Sequence, residues 1–340
     1  MRSESPARVS DSELLAKMTL YASDQAHSSV QKAANIAGLG SNLRLIPTLG
    51  RYTLDADELS EAMREDAAAG LRPIFVSANV GSTNTCAVDP VRAIGEACRS
   101  FSQEQKKRKE TSDELVPWLH VDAAYAGSAA VCPENRWILD GIEAADSFIF
   151  NLHKWMLVNF DCTAMFVKRS AYLVDALSVT PEILRSKEYN SKQVSDFRDW
   201  QVPLGRKFRS LKIWLTMRAF GLDKVRGLVR RHTQLARDFE AMVNEDDRFE
   251  IVAPVRFGLV CFRLKASCEA NAELRQARNN KKLHRSRIVA SGLAFFSSTK
   301  LEGRTCLRVS VGGPATETRH IREFWDAIRR TADAVTAEGI

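Results

Sequence analysis

Two apolar runs of strand length, each followed by a charged residue, constrain the fold of this 340-residue chain most strongly. Residues 118–121 lead into Asp122, and residues 147–150 lead, after a short connection, into Lys154. This spacing suits one β-α-β step, in which the two strands are parallel neighbours. Because open α/β sheets hold their ligands at the carboxyl ends of their strands, we expect Asp122 and Lys154 to face one crevice.

A lysine and a carboxylate in one crevice point to a specific cofactor chemistry. Partial burial disfavours the charged form of Lys154, so its amine becomes a usable nucleophile. The pair fits pyridoxal phosphate, because the amine can form an imine with the aldehyde while Asp122 keeps the pyridine nitrogen protonated. Ala123 and Ala124 leave room for a flat ring close to the backbone. For Lys154 taken alone, a solvated loop lysine is the alternative.

Two further stretches carry candidate cofactor contacts. Ser23 or Asp24 is a candidate helix cap, which places His27 in the first turn of the following helix. An imidazole there can stack on the face of a ring, and a hydrogen-bonded structural histidine is the alternative. A buried strand predicted over residues 73–78 leads to Thr83. Its hydroxyl can reach a ring substituent or the neighbouring carboxylate, and a simple turn is the alternative.

Four motifs carry a family resemblance. They read YASDQAHSSVQKA (21–33), HVDAAYAGSA (120–129), NLHKWMLVNFDC (151–162) and DWQVPLGRKFRSLKIW (199–214). Together they resemble the group II pyridoxal-phosphate-dependent decarboxylases, in particular the aromatic L-amino acid decarboxylases that act on tyrosine, DOPA or tryptophan. The resemblance runs from about residue 12 to the C terminus.

The resemblance implies roles for individual side chains. Lys154 matches the lysine that forms the imine, Asp122 the partner of the pyridine nitrogen, and His27 the histidine that stacks on the ring. Pyridoxal 5'-phosphate is therefore the expected cofactor, and no metal ion is expected. The other positions that match the cofactor site are Thr83 and Ala124 near the ring, and Asn151 and His153 near the phosphate.

Product and substrate depend on two further positions. In the family a loop tyrosine within a Pro-x-Tyr-Leu pattern takes part in protonating the product, but residues 181–184 read Pro-Glu-Ile-Leu, and Ile183 has no proton to give. Relatives without that hydroxyl tend toward oxidative deamination to an aldehyde, and Tyr189 is the candidate replacement here. Gly205 leaves space for a bulky ring, which favours tryptophan or phenolic amino acids over histidine.

The front of the chain departs from the family. Only 26 residues precede His27, whereas the family carries there a dimer-clasping segment, aromatic pocket residues and a loop whose backbone N–H groups grip the cofactor phosphate. The chain therefore looks like the family without its first third. Three functions stay open: an aromatic amino acid decarboxylase, an aromatic aldehyde synthase and a non-catalytic homologue. The resemblance implies a homodimer for the full-length family.

The order of the predicted elements defines the fold class. Strands alternate with helices as far as Arg206, which predicts an α/β fold with a mostly parallel sheet. Fold-type I (aspartate aminotransferase-like) pyridoxal enzymes have this organisation. We place a large cofactor-binding domain in residues 1–210 and a small α+β domain in residues 211–340. Arg308, on a strand of the small domain, is a candidate contact for a carboxylate, and a solvent-facing arginine is the alternative.

Composition bears on the remaining function classes. The net charge is +7, but the one dense basic run, residues 106–109, is predicted to lie in a solvated loop, so nucleic-acid binding is not expected. No apolar run reaches the length of about 18 residues that spans a membrane, and the N terminus lacks the apolar core of a secretory signal. Seven cysteines without a CxxC motif argue against disulfides and zinc, which favours the cytoplasm.

Overall fold

The computed structural model describes residues 10–50, 52–109, 116–179, 196–266, 272–284, 288 and 292–337. Its main sheet has six strands in the order β2-β1-β5-β6-β7-β8, in which β8 alone runs antiparallel to its neighbour. These strands are Met18–Ser23 (β1), Leu43–Ile46 (β2), Arg72–Asn79 (β5), Trp118–Asp122 (β6), Ser147–Asn151 (β7) and Thr163–Val167 (β8). Two short strands pair separately, Thr48–Leu49 (β3) and Thr53–Leu54 (β4).

The second sheet is antiparallel, with four strands in the order β11-β12-β10-β9. Its strands are Phe249–Ile251 (β9), Leu259–Leu264 (β10), Ser297–Leu301 (β11) and Arg304–Ser310 (β12). The described α-helices are Asp11–Lys17 (α1), Ser28–Ile36 (α2), Ala56–Ala68 (α3), Val91–Lys109 (α4), Leu152–Trp155 (α5), Ala171–Leu177 (α6), Arg209–Asn244 (α7), Ala272–His284 (α8) and Thr318–Ala337 (α9). None of the described helices is both long and apolar enough to cross a membrane.

The predicted α/β class is confirmed, and several local predictions are wrong. The apolar pattern predicts a helix over residues 11–19, but α1 ends at Lys17 and the next six residues form the interior strand β1. The basic run at residues 106–109 forms the last turn of α4 and not a loop, although residues 106–108 are exposed to solvent as expected. A strand is also predicted near residues 288–296. Its described residues, 288 and 292–296, are not in a strand, and β11 begins just after them, at Ser297.

The connection between β6 and β7 differs from the expected β-α-β step. The two strands are parallel neighbours as predicted, with Asp122 opposite Ile149. Three 3-10 helices form the crossover instead of one α-helix: Ala126–Val131, Pro133–Leu139 and Ile142–Ala144. This crossover packs tightly on the sheet, since a Cβ at Gly127 would stand 2.6 Å from that of Phe150.

Helix α7 connects the two halves of the chain. Gly221 interrupts it with φ 71° and ψ 166°, a conformation that glycine adopts without steric cost. Before and just after that break, α7 packs near the segment that carries Lys154, through Ile213, Met217 and Val225. Its later turns cover the second sheet through Leu235, Ala236, Phe239 and Val243. The domain boundary predicted between residues 210 and 211 falls in the first turn of this helix and stays a prediction.

A buried carboxylate, that of Asp89, links two strands beside the predicted site. Asp89 is 3 % exposed, and its two oxygens accept hydrogen bonds from the backbone N–H groups of Leu54 at 2.8 Å and Asn79 at 2.6 Å. Burial raises the pKa of Asp89 to about 6, although those hydrogen bonds oppose the shift. The carboxylate therefore joins β4 to the end of β5.

We expect Asp89→Asn to lower the free energy of unfolding by about 1–3 kcal/mol, because its amide NH2 would face the Asn79 donors and leave one buried group unpaired. Urea denaturation monitored by circular dichroism measures this loss. Asp238→Asn is the matched control, since Asp238 lies on an exposed helix face and accepts a hydrogen bond from Gln234. Equal stability of the two variants would contradict this role of Asp89.

Candidate active site

The carboxyl ends of the central parallel strands meet at one cavity. Its volume is about 370 Å³. Strands β5, β6 and β7 end side by side there, because their register pairs Asn79 with Asp122 and Asp122 with Ile149. Six of the nine residues predicted for the site line it: His27, Thr83, Asp122, Ala124, Asn151 and Lys154.

Lys154 lies on α5, a single helical turn that follows β7 directly. Its side chain is open to solvent within the crevice, yet the crevice walls displace part of its water. This desolvation lowers the pKa of the Lys154 amine from its ordinary 10.5, and the negative charge of Asp122 opposes the shift. The amine is therefore a better nucleophile at neutral pH than a surface lysine.

Asp122 is held in a fixed orientation at the end of β6. It is half-buried, and one carboxylate oxygen accepts a hydrogen bond from the backbone N–H of Ala124 at 2.9 Å. The other oxygen has no hydrogen bond among the described residues. A carboxylate anchored by one oxygen can receive a proton-bearing ligand nitrogen on the other.

His27 occupies a different position in its helix from the one predicted. It is itself the N-cap of α2, and its Nδ1 accepts a hydrogen bond from the backbone N–H of Ser29 at 3.2 Å. The predicted caps do not act, because Asp24 instead accepts from the Thr48 hydroxyl and Ser23 from the Asn79 amide. The imidazole is exposed and lines the cavity, so the predicted stacking on a ring remains sterically open.

The loop after β5 brings Thr83 to the cavity. Gly81 has φ +88°, and a Cβ there would stand 2.4 Å from that of Ala126, so this turn requires glycine. Ser82 closes the turn by accepting a hydrogen bond from the backbone N–H of Ala87 at 3.1 Å. Thr83 is exposed at the rim, where its hydroxyl can contact a ligand.

The two residues predicted near the phosphate are separated by the structure. Asn151 lines the cavity, and its side-chain oxygen accepts a hydrogen bond from the Thr163 hydroxyl at 2.8 Å. His153 is not among the described residues that line it. Its Nδ1 accepts from the backbone N–H of Cys162 at 2.9 Å, and its ring lies edge-on to Phe160. The phosphate role of His153 stays a prediction.

Neither of the two predicted pocket residues is among the described residues that line this cavity. Gly205 is exposed in a segment without regular structure, and a Cβ there would meet no atom within 4 Å. Ile183, like Tyr189, lies outside the described residues. The roles of Gly205 and Ile183 in substrate choice and product therefore stay predictions.

A second cavity of about 280 Å³ adjoins the first and shares Lys154 and Thr83 with it. Arg308 lines it, and donates to the backbone carbonyl of Asn84 at 3.2 Å and to the Ser297 hydroxyl at 3.0 Å. Sequence reasoning singled out Arg308 but missed Tyr125, which also lines this cavity. The available signal for Tyr125 was its place three residues after Asp122, within the same motif.

The described residues fit the cofactor that the sequence suggests. A nucleophilic amine and an oriented carboxylate open on one cavity, with Ala124 as a small residue on its wall. Lys154 would hold the aldehyde carbon, Asp122 the ring nitrogen and His27 one ring face. Across the described ranges, no group of three or more His, Cys, Asp or Glu side chains is arranged to bind a metal ion.

Comparisons with known proteins agree with this geometry. The profile of a family described as "Pyridoxal-dependent decarboxylase conserved domain" matches residues 1–265. Phenylacetaldehyde synthase of Arabidopsis thaliana is 43% identical over 321 residues, which are 94% of this chain and 62% of the relative. Tryptophan decarboxylase 2 of Oryza sativa is 42% identical over 327 residues, with the same shares covered. This chain thus spans about 62% of the length of these curated relatives.

Solved structures show the same likeness. The crystal structure of Oryza sativa TDC with PLP and tryptamine superposes with a TM-score of 0.85 at 40% sequence identity, over 94% of this chain and 63% of that one. The structure of Rhodiola rosea 4-hydroxyphenylacetaldehyde synthase gives a TM-score of 0.81 at 34% identity, over 94% and 62%.

The opposing effects on Lys154 can be separated experimentally. We expect Asp122→Asn to lower the pKa of the Lys154 amine further, because the carboxylate charge is what favours the ammonium form. Competitive acetylation of the cofactor-free chain at several pH values, read by peptide mass spectrometry, gives that pKa. Glu143→Gln, which removes a surface carboxylate paired with Arg92, should leave the Lys154 curve unchanged. A curve for Asp122→Asn that superposes on the wild type would refute the coupling.

Proposed function

This chain belongs to the pyridoxal-dependent decarboxylase family, and from that membership we propose that it uses pyridoxal phosphate to decarboxylate aromatic L-amino acids to amines and CO2. The observation that carries the proposal is the shared cavity of Lys154 and Asp122 at the carboxyl ends of β6 and β7. An amine and an acid that line one cavity can serve the aldehyde and the ring nitrogen of pyridoxal phosphate.

Each described side chain has a defined task in this proposal. When bound, pyridoxal phosphate supplies a ring that takes up the electron pair released as CO2 leaves. Lys154 would hold the cofactor through its amine, as a nucleophile that the crevice keeps partly desolvated. Asp122 would hold a proton at the ring nitrogen and so maintain the electron demand of the ring. His27 would cover a ring face, and Thr83 would offer its hydroxyl to the cofactor from the cavity rim.

A second function, aromatic aldehyde synthesis, is favoured by one observation. Ile183 stands where the family pattern has a tyrosine, and an alkyl side chain cannot donate a proton to the α-carbon of the product. Without rapid protonation there, O2 can take up two electrons and become hydrogen peroxide, and water then hydrolyses the oxidised carbon–nitrogen bond to an aldehyde and ammonia. Two of the similar proteins bear names of aldehyde synthases. Decarboxylation is common to both functions, so the two differ only in the fate of the carbon that lost CO2.

Substrate class, assembly and location complete the proposal. Gly205 leaves space for a bulky ring, which favours tryptophan or phenolic amino acids. Exposed apolar side chains on the first turns of α7, among them Trp214 at 59 % and Leu215 at 51 %, support a twofold homodimer. The six described cysteines are buried free thiols, which suits the reducing cytoplasm.

The covalent role of Lys154 has a direct spectroscopic test. The chain mixed with pyridoxal phosphate should develop an absorbance band near the visible edge, and Lys154→Ala should abolish it together with CO2 release. Lys168→Ala is a matched control, because Lys168 is exposed and bonds to the Glu143 carbonyl. Absence of the band in the wild-type chain would favour the non-catalytic homologue over both enzymatic functions.

The fate of the product depends on position 183. We expect Ile183→Tyr to raise the ratio of amine to aldehyde, because a phenol supplies the missing proton. Amine, aldehyde and peroxide measured in one reaction, with and without O2, give that ratio. Ile183→Leu controls for a change of side chain that adds no proton donor. An unchanged ratio in the tyrosine variant would rule out this account of Ile183.

A further inference from the structure

The helical turn that carries Lys154 is too short to be stable without tertiary contacts. Helix α5 comprises four residues, closed by the hydrogen bond from the Met156 N–H to the Leu152 carbonyl at 3.0 Å. Isolated helices of this length are unstable, because nucleation costs more than one hydrogen bond returns. The position of the Lys154 amine therefore depends on tertiary contacts made by its neighbours, chiefly Trp155, which is 1 % exposed.

Trp155 is anchored by a histidine from α7. Its indole N–H donates to Nδ1 of His232 at 2.9 Å, and Nε2 of His232 lies 3.0 Å from the carbonyl oxygen of Gly313. His232 is fully buried. An indole nitrogen can only donate and a carbonyl can only accept, so both bonds form only when Nδ1 is bare and Nε2 carries the proton. This pairing selects one neutral tautomer.

Ring contacts extend this anchor to the second cavity. Trp155 is nearly coplanar with His232 across their hydrogen bond, with ring centroids 6.3 Å apart and planes at 6°, and it stacks on Tyr125 at 4.8 Å and 14°. Tyr125 lines the second cavity beside Lys154, and so does Gly312, which precedes the residue that accepts the His232 hydrogen bond. The His232 imidazole thus bonds to Trp155, the neighbour of Lys154 in the chain, and to Gly313, the neighbour of Gly312 on the cavity wall.

We propose that His232 is a positioning residue for Lys154, acting through Trp155 as its neutral Nε2–H tautomer. If only the apolar face of α7 is considered, His232 is an ordinary core histidine whose role is packing. What distinguishes His232 is that both of its hydrogen bonds end on segments that wall the Lys154 crevice. Burial lowers the pKa of the imidazole from 6.5, and the charge of Arg231 acts in the same direction, so the neutral form prevails at pH 7.

The proposal rests on the proposed function in that Lys154 is the cofactor lysine, but its test needs no cofactor. Competitive acetylation of the cofactor-free chain measures the free amine of Lys154. We expect His232→Phe, which keeps an aromatic ring and removes both hydrogen bonds, to release Trp155 and expose Lys154 to water. The rate of acetylation at pH 8 then falls about tenfold for each unit by which the Lys154 pKa rises. His232→Asn, whose amide oxygen can still accept the Trp155 N–H, should restore the rate in part.

Two comparisons separate positioning from general stability. Phe239→Leu, on the same helix but within the second core, should lower the urea midpoint without changing Lys154 acetylation. If His232→Phe does not fold, Trp155→Phe removes the same hydrogen bond and should slow acetylation in the same way. Nitrogen-15 chemical shifts of His232 should report a protonated Nε2. The proposal is overturned if either phenylalanine variant leaves the acetylation curve unchanged, or if Nδ1 carries the proton. Suppose that the wild-type chain shows no absorbance band with pyridoxal phosphate, while the acetylation of Lys154 changes as expected in the His232 variants. That outcome would contradict the proposed function but not the positioning role of His232.

Discussion

The parallel pairing of β6 with β7 is the constraint on which the rest of the site depends. Backbone hydrogen bonds set Asp122 opposite Ile149, so the chain after β6 and the chain after β7 emerge at one edge. A slip of one residue would turn the side chains at that edge to the opposite face of the sheet. Close packing of the crossover opposes such a slip, because Gly127 and Ala123 leave no space for a shifted Phe150.

The chemistry of Lys154 follows from two opposing effects in this frame. Desolvation by the crevice walls favours the neutral amine, whereas the charge of Asp122 favours the ammonium ion. Desolvation is the larger effect, so the amine is activated while the carboxylate remains close enough to bind the far end of a ligand. A deeper lysine would be more reactive but inaccessible to substrate. The open crevice is a compromise between activation and access.

The sequence best predicted the site residues that lie at or just after the carboxyl ends of strands. Asp122 and Lys154 could be brought together from spacing alone, because parallel strands deliver their carboxyl ends to one edge regardless of what connects them. His27 was placed one turn too deep, because Asp24 and Ser23 bond to other strands, and local cap propensity cannot foresee long-range partners. Strand β1 was missed for a related reason: its pairing with β2 and β5 overrides weak local propensity. The contacts that join Tyr125, Trp155 and His232 were not predictable, since these residues are distant in the chain and no periodicity links them.

The placement of Lys154 on a one-turn helix has a structural consequence. A lysine within a long helix would be fixed by backbone hydrogen bonds of its own segment, and distant residues would matter little to it. Here the fixing groups come from α7 and from the Gly313 segment, which belong with the second sheet. Helix α7 packs on both cores across its break at Gly221, and His232 on its later part bonds to Trp155. If His232 positions Lys154 as proposed, the place of that amine depends on the packing between the two halves of the chain, although all of the predicted cofactor contacts lie on the first half.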